Sequence, residues 1–382
     1  MKITKINLYK YSKPFMFKFH NTQMRRTNAE SILIQLELDE GFIAHGESTP
    51  MAYITGEDCS TVVQVIRNCF APILFSEDVH SINDVGEILN QLESECRSRN
   101  IFHYNSALGA VDIALLDALG KLKQVPMIGL LGPVVRKNAS YSISIPFLPL
   151  QKIRELFAQL PGVARIKYVK VLVGEDESRN IERVRLARSL FGDQADIRVE
   201  NNGKWTFRQA VSNLEKLRQF NITAVEQPLE KDDITGLHIL RKAIDIPIIA
   251  DESMCDLSDA MRLIENESCD ILNIKISKCG GLLRSKQIAN FAKAQNIQCQ
   301  MGAHVGETEI LREAGRSFAL TTSNLVYFEG CSFLLFEDSW QGKQFHITVD
   351  RKAEIPGFGL GVGLTDQQSI IKHCSPIAEL TG

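Results

Sequence analysis

From Ser140 onward the chain repeats one unit, a short apolar run followed by an amphipathic stretch with the helical period. The apolar runs are, in order, YSISIP, RIKYVKVLVG, ADIRVEN, ITAVEQP, IPIIADES, DILNIKIS, IQCQMGAH and LVYFEG. Stretches such as NIERVRLARSLF and RQAVSNLEKLRQF separate them, with apolar residues three and four apart. Strands that alternate with helices pair in parallel through right-handed crossovers, and eight such units close into a barrel. The repeat therefore predicts an α/β fold class, a (β/α)8-type TIM barrel.

The chain before this repeat has a different pattern. Two alternating runs, ITKINLYKY and ESILIQLELDEG, predict antiparallel strands, and helical periods follow from about residue 60 to residue 123. We therefore expect an α+β capping domain over residues 1–130 and the barrel over residues 131–350. We expect a C-terminal segment, residues 351–382, to pack back on the capping domain.

Charge and cysteine content exclude several function classes. The 382 residues include 43 Lys and Arg against 46 Asp and Glu, a balance that argues against a nucleic-acid or polybasic membrane surface. Lysines interrupt the N-terminal sequence, and no long apolar run is evident, so we expect a cytoplasmic protein without a membrane partner. Nine cysteines without a CxxC pair are predicted to be buried thiols rather than disulfides or zinc ligands.

Ionisable residues recur at the ends of the predicted barrel strands, 24 to 30 residues apart. They are Lys170, Glu200, Glu226, Asp251, Lys275, His304 and Glu329. One such residue per unit places the set around one mouth of the barrel, where barrel enzymes carry their chemistry. The alternative for any single residue is that polar loops simply begin there.

Three of these residues, Glu200, Glu226 and Asp251, come from consecutive strands, so their carboxylates should converge. Without a cation they would repel one another and raise each other's pKa. Hard oxygen ligands in this number suit Mg2+, with Mn2+ as a possible substitute. The alternative is a salt-bridge network with the neighbouring lysines.

Two lysines, Lys170 and Lys275, should flank this cluster. A partly desolvated lysine near a dication has a lowered pKa, and its neutral amine can act as a base. A metal that holds substrate oxygens and a lysine that removes a proton together indicate proton abstraction next to a carboxylate. The alternative is that both lysines are structural partners of the carboxylates.

The ordered motifs resemble the muconate lactonizing enzyme subgroup of the enolase superfamily, within the mandelate racemase and muconate lactonizing enzyme family. They are ALGAVDIALLDALGKLKQVPMIGLLG, VLVG, VENNGKW, VEQP, IADES and NIKISKCGG. The resemblance implies that Glu200, Glu226 and Asp251 are metal ligands, that Lys275 is the sixth-strand acid/base, and that Glu329 helps to choose the substrate. It also implies that two capping loops, residues 17–26 with Arg25 and residues 51–57 with Tyr53, contact the substrate.

Two positions depart from the family pattern. The family carries a Lys-x-Lys pair at the end of the second strand, and here Lys170 is followed two residues later by Leu172. One of two opposed bases is therefore missing, unless a longer connection brings Lys170 itself to the catalytic position. Glu200 replaces the usual aspartate, which keeps an oxygen donor but lengthens its reach.

His304 follows the seventh strand, where the mandelate racemase subgroup has a catalytic histidine paired with a sixth-strand aspartate. Position 275 is lysine, so that pair cannot form, but His304 could still donate a proton to a leaving group or bind a substrate carboxylate.

These observations favour a Mg2+-dependent isomerase of the cycloisomerase or epimerase type. Lys275 would remove a proton α to a carboxylate through a metal-stabilised enediolate, with Lys170 and His304 as further catalytic residues. The expected partner is a small-molecule carboxylate, and the resemblance implies a homo-oligomer. The alternatives are a non-catalytic carboxylate-binding descendant that lost its second-strand base, and a dehydratase that uses His304 as general acid.

Overall fold

The computed structural model describes residues 1–20, 23–158, 163–330, 352–354, 360–363, 371 and 373–382. The strands are β1 (Ile3–His20), β2 (Arg25–Leu38), β3 (Ile43–Ser48), β4 (Asn138–Ser140), β5 (Ile143–Ile145), β6 (Tyr168–Leu172), β7 (Asp196–Glu200), β8 (Ile222–Glu226), β9 (Ile248–Ala250), β10 (Ile271–Ile274), β11 (Gln298–Met301), β12 (Leu325–Phe328), β13 (Lys352–Glu354) and β14 (Cys374–Thr381).

The helices fall into two groups. Those of the capping region are α1 (Ala52–Thr55), α2 (Cys59–Val65), α3 (Ala71–Ser76), α4 (Ile82–Ser98), α5 (Asn105–Leu122) and α6 (Met127–Leu130), with a π-helical turn at Ile66–Phe70. Those of the barrel are α7 (Leu150–Ala158), α8 (Glu177–Phe191), α9 (Phe207–Leu217), α10 (Ile234–Ala243), α11 (Leu257–Glu265), α12 (Leu282–Ala294) and α13 (Glu309–Thr321), with 3-10 turns at Val163–Arg165 and Arg218–Phe220.

The predicted barrel is confirmed. Strands β5 to β12 form one eight-stranded sheet in sequence order, and its ladders are parallel. The Ser142 N–H, directly before β5, donates to the carbonyl oxygen of Phe328 at the end of β12 at 2.8 Å, which links the two outer strands. The strands are rich in valine and isoleucine because both faces of a parallel sheet are covered. Each of the eight predicted apolar runs contains one of these strands.

The antiparallel strands predicted near the N-terminus are also present. They form a sheet in the order β14-β1-β2-β3, so the C-terminal strand β14 pairs with the first strand of the chain. Helix α5 lies against this sheet and is buried along almost its whole length. A Cβ at Gly46 would lie 1.9 Å from the carbonyl oxygen of Ala110, so only glycine allows β3 and α5 to approach this closely.

Two buried carboxylates of the capping region bind the N-termini of barrel helices. Glu47 of β3 accepts hydrogen bonds from the Thr308 N–H at 2.7 Å, the Thr308 hydroxyl at 2.5 Å and the Leu311 N–H at 3.1 Å, at the start of α13. Asp112 of α5 accepts from the Leu282 N–H at the start of α12. A carboxylate accepts hydrogen bonds from the free N–H groups at a helix N-terminus, and its negative charge is attracted to the positive end of the helix dipole. These contacts hold the capping sheet over the barrel.

The stretch Cys59–Ser76 has the length and mean hydropathy of a membrane-spanning helix, which was not expected from the sequence. Buried residues make up 39% of it, including Val62, Ile66, Phe70 and Leu74 on the side that faces the capping core. Burial confined to part of the helix surface is typical of a helix packed on a sheet.

The eight described cysteines are free thiols, and five of them are buried. The prediction of buried thiols therefore holds for these five, whereas Cys59, Cys255 and Cys374 are only half-buried. Cys331 lies outside the described residues.

Candidate active site

Three buried carboxylates meet at the carboxyl ends of neighbouring barrel strands. Glu200 ends β7, Glu226 ends β8, and Asp251 directly follows β9. Glu200 and Glu226 are partners in the β7–β8 ladder, so their side chains leave the sheet at the same level. Lys275 directly follows β10 and Glu329 directly follows β12, at the same mouth. The strand-end set is thus assembled around one opening.

Lys170 contacts three carboxylates, two of the cluster and that of Glu329. Its Nζ is 2.8 Å from Glu200, 3.4 Å from Glu226 and 2.8 Å from Glu329. Burial acts to lower the pKa of Lys170, but the three carboxylates outweigh it and raise the pKa well above its usual range. Although Lys170 starts one pleat below the strand end, its ammonium group therefore reaches the mouth and stays charged.

The second-strand register leaves Leu172 at the position of the missing lysine. Leu172 pairs with Glu200 in the β6–β7 ladder, whereas Lys170 pairs with Arg198 deeper in the barrel. Strand β6 continues without a break from Lys170 to Leu172, so no longer connection brings Lys170 itself to the strand end. The buried Leu172 side chain offers no proton acceptor on this side of the mouth.

Asp251 is paired with two buried lysines. Lys275 Nζ donates to its Oδ2 at 2.5 Å, and Lys278 Nζ donates to its Oδ1 at 2.8 Å. Burial acts to raise the pKa of Asp251, but the two ammonium groups outweigh it and hold the pKa below its usual range. The pKa of Lys275 is raised, opposite to the direction expected from sequence, because the Asp251 carboxylate outweighs the effect of burial.

Glu226, like Asp251, is fully buried. It accepts from Asn273 Nδ2 at 2.8 Å and from Gln300 Nε2 at 3.1 Å, in addition to its ion pair with Lys170. Burial and the neighbouring carboxylates raise its pKa to about 8, although Lys170 opposes this. A further cation beside Glu226 would favour its ionised form.

A second grouping of acidic residues includes Glu252, which sequence analysis did not single out. One carboxylate oxygen each of Glu200, Asp251 and Glu252 lies within 4.8 Å of the others. Asn202 Nδ2 bridges Glu200 at 2.6 Å and Glu252 at 3.2 Å, and the other Glu252 oxygen is buried without a hydrogen bond. Burial, followed by the charge of Asp251, raises the pKa of Glu252 to about 7.

The donors of this cluster fit a divalent cation. They are hard carboxylate oxygens from the carboxyl ends of β7 and β9, the kind that Mg2+ prefers. Lys170 already holds a positive charge between Glu200 and Glu226, so these two side chains are placed to share one cation. The Glu252 oxygen that accepts no hydrogen bond is available as a further metal ligand.

Glu329 joins this cluster from the eighth strand. Besides Lys170, it contacts Arg198, whose Nη2 is 3.4 Å away. Burial acts to raise its pKa, but Lys170 and Arg198 together lower it, so Glu329 stays ionised. Arg198 is fully buried and also donates to Gln300 and to the Ser142 hydroxyl, which anchors it below the mouth.

His304 lies three residues beyond β11 and is buried against the capping region. Its Nδ1 is 2.7 Å from the carbonyl oxygen of Thr49, and its backbone N–H donates to Glu307 at 2.6 Å. Burial and the charge of Lys275 lower the pKa of His304 to about 3, so the imidazole is neutral near pH 7.

The capping loops reach the same mouth. Tyr53 in α1 is half-buried. Burial and the charges of Glu252, Asp251 and Glu200 raise the pKa of its hydroxyl, and Lys275 opposes this. From the other loop, Gln23 Nε2 donates to the carbonyl oxygen of Asn202 at 2.7 Å. The side chain of Arg25 lies outside the described residues, so its expected substrate contact stays a prediction.

Sequence reasoning missed several of these residues. Glu252 and Lys278 carried a local signal, since one follows Asp251 directly in IADES and the other lies three residues after Lys275 in NIKISKCGG. Gln23 and Asn202 lie in segments that the sequence analysis named, the capping loop at residues 17–26 and the motif VENNGKW, but no pattern marked them individually. Arg198 carried no signal, because its contacts join elements distant in the chain.

Two family models together match most of the chain. The family model described as Mandelate racemase / muconate lactonizing enzyme, N-terminal domain, matches residues 5–132, and the model described as Enolase C-terminal domain-like matches residues 153–368. The second match alone covers more than half of the chain.

Three individual proteins illustrate the similarity. The N-succinyl-L-Arg/Lys racemase of Bacillus cereus is 26% identical, over 95% of this chain and 96% of its own length. The hydrophobic dipeptide epimerase of Enterococcus faecalis is 28% identical, over 78% of this chain and 81% of its own. The crystal structure of the dipeptide epimerase of Cytophaga hutchinsonii, complexed with Mg and the dipeptide D-Ala-L-Val, superposes with a TM-score of 0.87, 26% identity and 99% coverage of both chains. The chain therefore belongs to the mandelate racemase and muconate lactonizing enzyme family of the enolase superfamily, and it is an enzyme of the muconate lactonizing subgroup.

Proposed function

We propose that this enzyme is a Mg2+-dependent epimerase that removes the proton from the carbon next to a carboxylate of a small substrate. The observation that carries the proposal is the convergence of Glu200, Glu226 and Asp251 at one barrel mouth, with Lys275 Nζ 2.5 Å from Asp251. A base beside a cluster that can hold a cation is the arrangement that proton abstraction next to a carboxylate requires.

Glu200, Glu226 and Asp251 are the proposed metal ligands, and Glu252 lies close enough to add or replace one oxygen. A bound divalent cation would supply positive charge that stabilises the substrate carboxylate as the α-proton leaves. It would also compete with Lys275 for Asp251, which would favour the neutral amine of Lys275. Mg2+ is the proposed ion because each of these ligands is a hard oxygen donor.

Lys275 is the proposed base, and Lys170 is the proposed source of positive charge on the other side of the mouth. Lys275 follows β10 and Lys170 lies in β6, four strands away in the eight-stranded sheet. The ammonium group of Lys170, held by three carboxylates, stabilises negative charge that develops on the substrate oxygens. Leu172 lies where a second base would be, so proton removal occurs on the Lys275 face.

The proposed substrates are dipeptides or N-acylated amino acids. Relatives over most of the chain are named as a hydrophobic dipeptide epimerase and as an N-succinyl-L-Arg/Lys racemase, and the structure superposed above contains a dipeptide. In such substrates the carbon next to the carboxylate bears an amide nitrogen and an acidic proton. Localisation in the cytoplasm and assembly as a homo-oligomer remain expectations from sequence.

The presence of only one clear base favours a second candidate, a reaction that uses one face of the substrate, such as cycloisomerization. Leu172 supports it because an epimerase must also return a proton to the opposite face. In an epimerase of this chain, Lys170 is the only lysine of the second strand that could do so.

The test is deuterium exchange at the α-carbon in heavy water, with Mg2+ and a panel that includes L-alanyl-L-glutamate, L-leucyl-L-tyrosine and N-succinyl-L-lysine. We expect the parent to incorporate deuterium and to form the epimer, and we expect Lys275→Met to lose more than a thousandfold in exchange rate. Lys242→Met, which changes an exposed lysine on α10, is the matched control and should keep the parent rate.

Exchange that survives Lys275→Met within a few-fold would remove Lys275 as the base. Exchange without epimer would favour the one-face reaction. Binding of panel compounds without any exchange would favour the non-catalytic alternative.

A further inference from the structure

The capping region determines which nitrogen of His304 carries a proton. A backbone carbonyl can only accept a hydrogen bond, so the 2.7 Å contact with the Thr49 oxygen requires the proton on Nδ1. The same Thr49 donates its N–H to the Ser277 hydroxyl at 3.0 Å. Thr49 thus joins the loop that carries His304 to the loop that carries Lys275, and Nε2 of the neutral imidazole is left with a lone pair.

This lone pair has no hydrogen-bond donor in the described structure. His304 is 4% exposed, and its Nε2 is buried without a partner. A buried polar atom without a partner is rare, because it loses its hydrogen bond to water and gains nothing in return. A ligand that brings a donor would remove this cost.

The loop of His304 contacts the proposed base. After burial, the charge of Lys275 is the largest cause that lowers the pKa of His304. The loop that leads to His304 packs directly on the Lys275 side chain, since a Cβ at Gly302 would lie 2.8 Å from Lys275 Cγ. The loops that carry the imidazole and the proposed base thus contact each other and are joined by Thr49 at the carboxyl end of the barrel.

We propose that His304 is a specificity residue whose Nε2 accepts a hydrogen bond from an N–H or O–H group attached next to the reacting carbon of the substrate. This inference rests on the proposed function and deepens it, because it selects substrates with an amide or amine donor over plain dicarboxylates, whose oxygens would face a lone pair. It assigns His304 a role other than the two expected from sequence. In this tautomer Nε2 has no proton to give to a leaving group or to a carboxylate.

The tautomer can be measured without any substrate. Protein labelled with 15N in its eight histidines is examined by long-range nitrogen–proton correlation, and the His304 signal is assigned by its loss in His304→Asn. We expect a neutral ring with the proton on Nδ1. A charged ring, or a ring with the proton on Nε2, overturns the inference whether or not the protein is an epimerase.

The acceptor role is tested by adding N-succinyl-L-lysine and its N-methyl counterpart, each with Mg2+. We expect the first compound to shift the Nε2 resonance of His304 and the second to leave it unchanged. His45, another buried histidine, hydrogen-bonds to Gln35 in the capping sheet and is the internal control that neither compound should shift. A panel that shifts no His304 resonance overturns the inference.

A thermodynamic cycle completes the test. In the parent, N-methylation should weaken binding or kcat/KM by roughly tenfold, the cost of one lost hydrogen bond at a buried acceptor. In His304→Asn, which retains a donor toward Thr49 but has no acceptor at the Nε2 position, N-methylation should have little further effect. His304→Gln, which places an amide oxygen near the Nε2 position, should restore part of the discrimination.

Equal discrimination in the parent and in His304→Asn overturns the inference. Failure of the proposed function is distinct from this outcome, since it appears as absence of α-proton exchange in the parent with every panel compound.

Discussion

Glu47 is expected to be the most important single contact between the capping sheet and the barrel. In Glu47→Ala, two N–H groups and one hydroxyl at the start of α13 lose their buried acceptor. Loss of a helix cap costs about 1 kcal/mol, and each further buried donor left without a partner costs about 1 kcal/mol. Burial raises the pKa of Glu47, so removal of the carboxylate also removes the free-energy cost of burying its charge. We expect the free energy of unfolding to fall by about 3 kcal/mol.

Glu57→Ala is the matched control. Glu57 is also a buried carboxylate that binds a helix N-terminus, since it accepts from the Ser106 N–H at 2.8 Å and the Ala107 N–H at 3.1 Å, but this helix is α5 of the capping region itself. Two donors lose their acceptor in this variant, so we expect a loss of about 2 kcal/mol. Equilibrium urea unfolding, followed by circular dichroism and tryptophan fluorescence, measures both variants.

The two variants should differ in function at temperatures where both are folded. Glu47 binds Thr308, which adjoins Glu307, and Glu307 accepts the backbone N–H of His304. Glu47→Ala should therefore reduce α-proton exchange or weaken substrate binding, whereas Glu57→Ala should do so much less. A stability loss below 1 kcal/mol for Glu47→Ala, or equal functional losses in the two variants, would refute this reasoning.

Three further predictions concern the metal ligands, the missing base and a buried aspartate. Calorimetric Mg2+ titration should give saturable binding in the parent and a loss of at least tenfold in affinity for Glu226→Gln, with a smaller loss for Glu252→Gln, because Glu226 is the proposed ligand. Leu172→Lys places a lysine beside Glu200 in the β6–β7 ladder. This variant should raise deuterium exchange into the opposite enantiomer of the substrate, measured by chiral chromatography and mass spectrometry. The stability of Asp112→Asn relative to the parent should be greater at pH 8 than at pH 5, because burial raises the pKa of Asp112 to about 7. The native state then binds a proton that the unfolded state has released, so the parent loses about 1.4 kcal/mol per pH unit up to about pH 7, and the variant lacks this loss.

Each of these predictions has a contradicting outcome. Unchanged Mg2+ affinity in Glu226→Gln together with lost affinity in Glu252→Gln would move the third ligand to Glu252. Exchange confined to one enantiomer in Leu172→Lys would mean that position 172 does not face the substrate. A stability difference between Asp112→Asn and the parent that does not vary with pH would mean that Asp112 is ionised in the native state throughout this range.

The fold was predictable because its pattern is local and repeated. Eight apolar runs separated by amphipathic stretches allow few arrangements other than a closed parallel sheet, and the structure contains a strand in each run. The phase of that repeat also brings Lys170, Glu200 and Asp251 to one mouth, since residues at the ends of parallel strands share an edge. The membrane-like hydropathy of Cys59–Ser76 was not predicted, because its one charged residue, Arg67, and its polar residues are spread among apolar ones.

The sequence by itself determined that Glu200, Glu226, Asp251 and Lys275 lie at the ends of barrel strands, because this follows from strand period and order. The resemblance to the family implied that Leu172 stands in place of a second lysine. Only the tertiary structure decided how the charges are paired. Lys275 was expected to have a lowered pKa, yet contact with Asp251 raises it, and Lys170 reaches three carboxylates from one pleat below. Such pairings depend on side chains from different strands meeting within a few ångströms in a buried space. The proton position on His304 depends on the Thr49 carbonyl, 255 residues earlier in the chain, and no local pattern encodes a contact at that separation.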